Sequence, residues 1–179
     1  ATGCLALRDL GFEPVPARNL ASRNGLFAGS DDERVSGFHE LAADPSLTAI
    51  FFARGGHGLL RVLPLLDWAL LASIPRAYVG YSDLTPFLYQ VVARLGLVAF
   101  HGPMVAADFA RGLTAVEAER LLRVLAGPAP MATPFVSGIR SGQTEGILLG
   151  GCLSLIVATL GTPWQMDLEG SILFWEDVS

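Results

Sequence analysis

The sequence predicts an α/β fold, in which a parallel sheet with flanking helices forms an N-terminal domain and the start of a smaller C-terminal domain follows. Short apolar runs rich in β-branched and aromatic residues alternate with segments of helical period through the first half of the chain. Such alternation favours a parallel sheet covered by helices on both faces. The 179 residues are 51% hydrophobic and 16% charged, a composition that can fill a sizeable core.

The strands are predicted where apolar runs end at glycines, prolines or polar residues. The first run contains Pro14 and Pro16, which would confine it to a sheet edge because proline has no N–H to donate. The next run is continuously apolar, as expected of a strand buried on both faces. The predicted strands are 12–17, 47–53, 77–81, 97–100 and 171–175.

The helices are predicted from helical periodicity and from their termini. Capping boxes at Ser30 with Glu33 and at Thr114 with Glu117 each indicate a helix start, and Gly96 indicates a helix end. The predicted helices are 5–10, 30–43, 59–73 in pieces interrupted at Pro64, 83–95, 114–126 and 150–160.

Composition divides the chain into three parts. Residues 1–126 form the predicted N-terminal α/β domain, and 127–146, rich in Pro, Gly, Ser and Thr, form a predicted linker. Residues 147–179 then begin a C-terminal domain. Both ends break off beside a regular element rather than in polar residues, so we expect a fragment that lacks the first strand of its sheet.

The charge and cysteine content exclude several classes of function. A formal charge of −5, without a cluster of Lys or Arg, disfavours a nucleic-acid partner. The longest apolar run, 147–160, is shorter than the roughly 20 residues of a membrane span. Cys4 and Cys152 lie far apart and outside any CxxC pair, which favours a reducing compartment.

Three loops follow consecutive predicted strands at their C-terminal ends, where open α/β sheets place their sites. The first, 53–58, has three glycines in four positions, so its backbone could approach a phosphate, a carboxylate or an oxyanion, or could simply form a tight turn. The second places Ser82 between a strand and a helix. Ser82 could be a nucleophile on a strained turn, assisted by the N–H of Asp83, or an ordinary N-cap.

The remaining candidates are a histidine and an acid at strand ends. His101 lies in the third loop, 100–104, and could be a base or a structural hydrogen-bonding residue. Glu176 could orient an imidazole or could be the solvated end of a strand. His39, His57 and His101 have no metal-ligand spacing, so we predict neither a metal nor another cofactor.

Together these segments resemble the LD-carboxypeptidase family of serine peptidases, which also includes the microcin C self-immunity peptidases. The matching segments occur in the family's order and cover nearly the whole chain. They are 26–34 (LFAGSDDER), 53–58 (ARGGHG), 65–68 (LLDW), 80–83 (GYSD), 101–104 (HGPM), 149–153 (LGGCL), 161–163 (GTP) and 170–177 (GSILFWED). The resemblance implies an N-terminal α/β domain, a smaller C-terminal domain and a site between them.

The resemblance also implies roles for individual residues. Ser82 would be the nucleophile and Glu176 the acid of a Ser-His-Glu triad, with the N–H groups of Gly56 and Asp83 forming the oxyanion hole. The implied substrate-binding residues are Arg54, Gly55, Tyr81 and His101. The implied activity is cytoplasmic release of terminal D-alanine from muropeptide tetrapeptides in cell-wall recycling, by an enzyme that tends to form homodimers.

The chain departs from the family pattern at three places. The family histidine lies beyond the Glu176 position, so we expect this chain alone to be nearly inactive, with His57 the alternative base. An N-terminal strand and its turn are missing, and Cys152 stands where asparagine is usual. Three other functions stay open: a microcin C-type peptidase, a non-catalytic module that binds an anion through residues 54–58, and a degraded gene product.

Overall fold

A computed structural model of the chain describes residues 2–128, 138–140 and 142–178. The helices are Thr2–Asp9 (α1), Asp31–Ala43 (α2), Leu59–Val62 (α3), Trp68–Ser73 (α4), Thr85–Leu95 (α5), Ala115–Ala126 (α6) and Leu153–Ala158 (α7). The strands are Ala49–Phe51 (β1), Ala77–Gly80 (β2), Phe100–His101 (β3), Leu148–Cys152 (β4) and Ile172–Glu176 (β5). The chain also forms short 3₁₀ helices at Leu63–Leu65 and Ser82–Leu84 and a π-helix at Val105–Phe109.

The first three strands form a parallel sheet in the order β1-β2-β3, and β4 and β5 form a separate parallel pair. In the central strand β2, successive side chains enter different apolar clusters because strand residues alternate between faces. Tyr78 packs among residues of α2, α4 and α5, whereas Val79 packs with Phe109 and Leu121 on the opposite side. The predicted α/β class, with a parallel sheet and helices on both faces, is therefore confirmed.

Both predicted capping boxes are confirmed, because each is a local interaction between residues three positions apart. Ser30 and Glu33 cap α2, and Thr114 and Glu117 cap α6. The predicted strand 12–17 is wrong, since these residues form no strand. Its two prolines cannot donate to a ladder.

Two further predictions need correction. The predicted helix 150–160 begins only at Leu153, because Gly150 to Cys152 belong to β4 and pair with β5. The predicted strand 97–100 has only its last residue in β3. Leu97 instead donates its N–H to Val91 O (3.5 Å), which continues the C-terminal cap of α5. Half of the predicted linker, 127–146, lies outside the described residues.

The segment that follows α7 docks onto α5. The Arg94 guanidinium lies over the rings of Trp164 (4.6 Å) and Trp68 (5.4 Å). Gln90 Nε2 donates to Trp164 O (3.2 Å), and the N–H of Asp167 donates to the Tyr89 hydroxyl (2.7 Å). These contacts fix the β4–β5 pair relative to the first sheet. No helix in the described part of the chain has the length and apolarity needed to cross a membrane.

Arg76 is a buried cation that closes the C-terminal end of α2. Its side chain is 6% exposed and donates to the carbonyls of Leu41 (3.0 Å), Ala42 (2.7 Å) and Asp44 (3.3 Å). The last carbonyls of a helix have no partner within the helix, so this guanidinium satisfies groups that would otherwise be buried and unpaired.

We expect Arg76→Met to lower the free energy of unfolding by about 2–3 kcal/mol, because it leaves several buried carbonyls without a donor. Urea denaturation followed by circular dichroism measures this loss. The matched control is Arg123→Met, since Arg123 is 55% exposed and lies 4.0 Å from Glu119. That exposed pair should contribute less than about 0.5 kcal/mol, and equal losses in both variants would contradict the assigned role of Arg76.

Candidate active site

The C-terminal ends of β1, β2 and β3 bring the three predicted loops to one edge of the sheet. The N–H groups of Val105 and Ala106 donate to the carbonyls of Phe52 (3.0 Å) and Ala53 (2.7 Å), which joins the loop after β3 to the loop after β1. Between them, β2 ends at Gly80 and the chain turns through Ser82 into α5. Ser82 therefore lies at the centre of this edge, as the sequence predicts.

Ser82 has φ +63° and is the single non-glycine residue with positive φ in the part of the chain that the structure describes. This left-handed conformation costs an ordinary side chain roughly 1–2 kcal/mol. The alternative that Ser82 caps α5 is wrong, because the N-cap position of α5 is Leu84. No hydrogen bond joins the Ser82 hydroxyl to another described residue, so it remains available for chemistry.

The glycine-rich loop passes directly over Ser82. A Cβ built on Gly55 would lie 3.0 Å from Ser82 Cβ, 3.2 Å from Ser82 Oγ and 3.5 Å from the N of Asp83. The loop backbone can come this close because position 55 has no side chain. Gly56, the predicted oxyanion donor, has φ +109° and open space where a side chain would be.

The Asp83 side chain holds the end of the glycine loop in place, and the sequence analysis did not predict this role. Asp83 is 6% exposed, and its Oδ2 accepts the N–H of Leu59 at 3.0 Å, where the loop enters α3. Burial raises the pKa of Asp83, although the Leu59 N–H, Arg34 and His57 each oppose that rise. An acid next to a strand-end serine was visible in the sequence, but its partner on another loop was not.

The early segment 26–34 also supports the glycine loop. Arg34 donates to Gly58 O at 3.1 Å, and the ring of Phe27 lies where a Gly58 side chain would be. Asp31 accepts from Arg61 of α3 at 2.8 Å, and this hydrogen bond lowers the pKa of Asp31. The capping interpretation of this segment is thus confirmed for Ser30 and Glu33 but incomplete for Asp31.

Glu176 is the last residue of β5 and pairs in register with Cys152 of β4. Its Oε1 is buried and accepts no hydrogen bond from the described residues. The neighbouring Asp177 differs, because it accepts the N–H of Ser154 (2.9 Å) and also its hydroxyl. These bonds lower the pKa of Asp177 and give it a structural role, whereas one carboxyl oxygen of Glu176 remains without a protein donor.

The His101 ring packs against Tyr81 and against Phe174 of β5. The His101 ring is 5.1 Å from Phe174 and 5.7 Å from Tyr81, measured between ring centroids. Desolvation lowers the pKa of His101, and the Glu176 carboxylate partly offsets this effect, although part of the side chain stays open to solvent. Burial is also the main cause of the raised pKa of Tyr81, with Asp108 adding to it.

The predicted residues fall into two groups in the structure. Gly55, Ser82 and Asp83 lie close together at the sheet edge, whereas Tyr81 and His101 pack beside Phe174 of the strand that ends in Glu176. Arg54 and His57 are exposed on the glycine loop. His39 is remote from both groups, because its Nε2 accepts the N–H of Asp67 (2.9 Å) beside α4.

Asp83 and Asp31 predict opposite pH dependences of stability. The pKa of Asp83 is raised, so the folded state favours the protonated carboxyl. The stability that results is present below the ordinary value of 3.8 and is lost as the pH rises above it. The pKa of Asp31 is lowered, so its stabilising effect is present above 3.8 and is lost as the pH falls.

Wild type should therefore lose stability relative to Asp83→Asn as the pH rises above the ordinary value of 3.8. In contrast, it should gain stability relative to Asp31→Asn as the pH rises from about 2 to about 5. Urea denaturation across this range measures both differences. Slopes of the same sign would show that one of the two carboxyl environments is wrongly assigned.

Comparison with known proteins identifies the family of the chain. The chain matches the LD-carboxypeptidase N-terminal domain over residues 1–102 and the LD-carboxypeptidase C-terminal domain over residues 145–179. A probable murein peptide carboxypeptidase of Bacillus subtilis is 35% identical over 182 residues, which cover 99% of this chain and 57% of that protein.

Solved structures agree as well. The muramoyltetrapeptide carboxypeptidase of Oxalobacter formigenes has a TM-score of 0.83 and 33% identity over 98% of this chain and 60% of its own. The structure of MccF in complex with glutamyl sulfamoyl guanosine has a TM-score of 0.86 and 25% identity over 98% of this chain and 62% of its own. The chain thus spans less than two thirds of these relatives. With both domain types matched in order, the chain belongs to the LD-carboxypeptidase family.

Proposed function

We propose that the chain carries the nucleophile and the triad acid of a serine carboxypeptidase that releases terminal D-alanine from muropeptide tetrapeptides. The reaction is hydrolysis of the amide between an L-configured centre and D-alanine, in cytoplasmic cell-wall recycling. The observation that carries the proposal is the conformation of Ser82, which is strained, lacks a hydrogen-bond partner among the described residues and lies directly beneath Gly55. Strained backbone of this kind is concentrated at active sites.

Ser82 Oγ attacks the amide carbonyl while its proton passes to the base, and the C–N bond then breaks to release D-alanine with that proton on its amine. Water hydrolyses the acyl-enzyme, and backbone N–H groups stabilise the oxyanion that forms in each step. We assign these donors to Asp83 and Gly56. The position of Gly55 supports this assignment, because a Cβ built there would lie 3.5 Å from the Asp83 nitrogen, so the loop backbone runs close to the Asp83 N–H. Fixed donors of this kind are often the largest single contribution to catalysis of acyl transfer.

We assign Glu176 as the acid that orients the base, since its buried Oε1 has an unused acceptor site within the described structure. The family resemblance implies a histidine base, and we place that histidine outside residues 1–179. His39 already accepts a backbone N–H, and His57 is exposed beside Asp83. We therefore expect slow turnover by the isolated chain, because triad members act as a unit.

For substrate binding we propose Arg54, Gly55, Tyr81 and His101. Arg54 is an exposed cation on the glycine loop and suits the carboxylate of the terminal D-alanine. Tyr81 and His101 pack against each other beside Phe174 of β5, and both offer polar atoms to the peptide. The family resemblance further leads us to propose a homodimer and no cofactor.

The second candidate is a peptidase of the MccF type, favoured by the high structural similarity to MccF bound to glutamyl sulfamoyl guanosine. Such an enzyme would cleave an amide that joins an acidic amino acid to a nucleotide. A substrate panel separates the two candidates: a muropeptide tetrapeptide ending in D-alanine, the same peptide ending in L-alanine, and an aminoacyl sulfamoyl nucleotide.

Ser82→Ala in a full-length form should lower kcat for D-alanine release by about 10³- to 10⁶-fold, because it removes the nucleophile. Glu176→Gln should lower kcat by about 10²- to 10⁴-fold, since the amide cannot stabilise the imidazolium. Coupled detection of D-alanine measures both rates. Ser73→Ala is the control, because Ser73 donates to Leu70 O on α4 and should retain full activity. Turnover by Ser82→Ala at the wild-type rate would remove Ser82 from the mechanism.

Gly55→Ala should lower kcat by about 10- to 100-fold with a small effect on stability. The new methyl group would press on Ser82, with 3.0 Å to its Cβ and 3.2 Å to its Oγ. Gly142→Ala is the control, because no atom of the described residues lies within 4 Å of a Cβ at that position. The measurements are kcat and the melting temperature of each variant. An unchanged kcat in Gly55→Ala would show that the loop backbone does not lie over the reacting oxygen.

A further inference from the structure

Thr85, the first residue of α5, joins the Ser82 turn to strand β4 through a single hydroxyl group. Its Oγ1 donates to the carbonyl of Ser82 at 2.8 Å and accepts the N–H of Cys152 at 2.9 Å. Thr85 is 1% exposed, so water does not compete for either bond. A threonine hydroxyl has one proton to donate, and here it is directed to Ser82.

The carbonyl of Ser82 accepts both this hydroxyl and the backbone N–H of Thr85, and it belongs to the same peptide group as the N–H of Asp83. A peptide group is planar and trans, so its C=O and N–H point in opposite directions. Fixing the oxygen of Ser82 therefore fixes the direction of the Asp83 N–H. That nitrogen lies 3.5 Å from the position of a Cβ on Gly55, beside the glycine loop.

The second bond of Thr85 extends this constraint to the strand pair that carries the acid. Cys152, which donates to Thr85, pairs in register with Glu176 across β4 and β5. Gly151 permits the close approach, since a Cβ there would lie 2.5 Å from Thr85 Oγ1. One hydroxyl thus connects the turn that contains the nucleophile with the pair of strands that contains Glu176.

We propose that Thr85 is a positioning residue for the oxyanion site: its hydroxyl aims the Asp83 N–H at the reacting carbonyl and ties that peptide to β4. The proposal rests on the function proposed above, in which Asp83 is an oxyanion donor. It predicts that the loss of the hydroxyl weakens stabilisation of the transition state while substrate binding changes little, because the oxyanion exists only during reaction.

The test uses the full-length enzyme and the variants Thr85→Val and Thr85→Ser. Valine keeps the shape but removes the hydroxyl, and it should lower kcat by about 10- to 100-fold with KM within about threefold. Thr85→Ser keeps both hydrogen bonds and should keep kcat within about threefold. The rate at which a fluorophosphonate modifies Ser82 should fall in parallel with kcat.

A matched control separates positioning from general stability. Thr159 is 0% exposed and donates to Ile156 O at 2.8 Å in α7, the same type of bond away from Ser82. Thr159→Val should lower the melting temperature by an amount similar to Thr85→Val while kcat stays at the wild-type value. If Thr85→Val does not fold, Thr85→Ala and Thr85→Ser form a pair that differs only in the hydroxyl.

The outcomes distinguish this inference from the proposed function. Active Ser82→Ala would contradict the proposed function itself. If Ser82→Ala is inactive but Thr85→Val has the wild-type kcat, the role of Thr85 alone is overturned. Thr85→Ala takes the place of Thr85→Val in this comparison if the valine variant does not fold. Equal losses of kcat in Thr85→Ser and the variant without the hydroxyl would also overturn it, because the effect would then come from packing.

Discussion

The left-handed backbone of Ser82 is the constraint on which the rest of the site depends. With φ at +63°, the residue turns the chain out of β2 and presents its hydroxyl at the sheet edge instead of capping α5. An L-residue adopts this conformation only when its surroundings compensate for the strain. Here the compensation is the buried strand before it, the helix after it and the Thr85 hydroxyl that holds its carbonyl.

The acidic and basic groups near the sheet edge and the β4–β5 pair divide into those with protein partners and one without. Asp83 and Arg34 each bond to backbone of the glycine loop or the start of α3, and Asp177 bonds to the start of α7. These groups have definite partners and fix the shape of the edge. Glu176 keeps a buried oxygen without a donor among the described residues. Such an oxygen costs stability unless it is used, which supports a functional role for Glu176 over a structural one.

Much of the fold could be predicted from the sequence because its signals are local. The capping boxes of α2 and α6 depend on residues three positions apart, and the strands β1 and β2 are continuous apolar runs between turns. Strand β4 could not be predicted in this way, since an apolar run does not distinguish a buried strand from a buried helix. Gly150 to Cys152 form a strand because they pair with β5, which lies more than twenty residues later in the chain.

Local sequence signals predict the site residues only in part as well. Ser82, Gly55, His101 and Glu176 stand at the ends of predicted strands or in the loops that follow, so the topology of an α/β sheet was enough to nominate them. Thr85 was missed, because its partner Cys152 lies 67 positions away and nothing local indicates the contact. The side-chain role of Asp83 was missed for the same reason. Residues that react can be found from position, whereas residues that align them need the tertiary structure.

The most direct measurement is a crystal structure of the full-length enzyme after reaction with a phosphonate analogue of a D-alanine-terminated peptide. If Ser82 is the nucleophile and the proposed donors form the oxyanion site, we expect phosphorus bonded to Ser82 Oγ. The phosphonyl oxygen should then lie about 3 Å from the nitrogen of Asp83 and from a nitrogen of the glycine loop. An adduct on another residue, or an adduct on Ser82 whose oxygen points away from both nitrogens, would contradict this expectation.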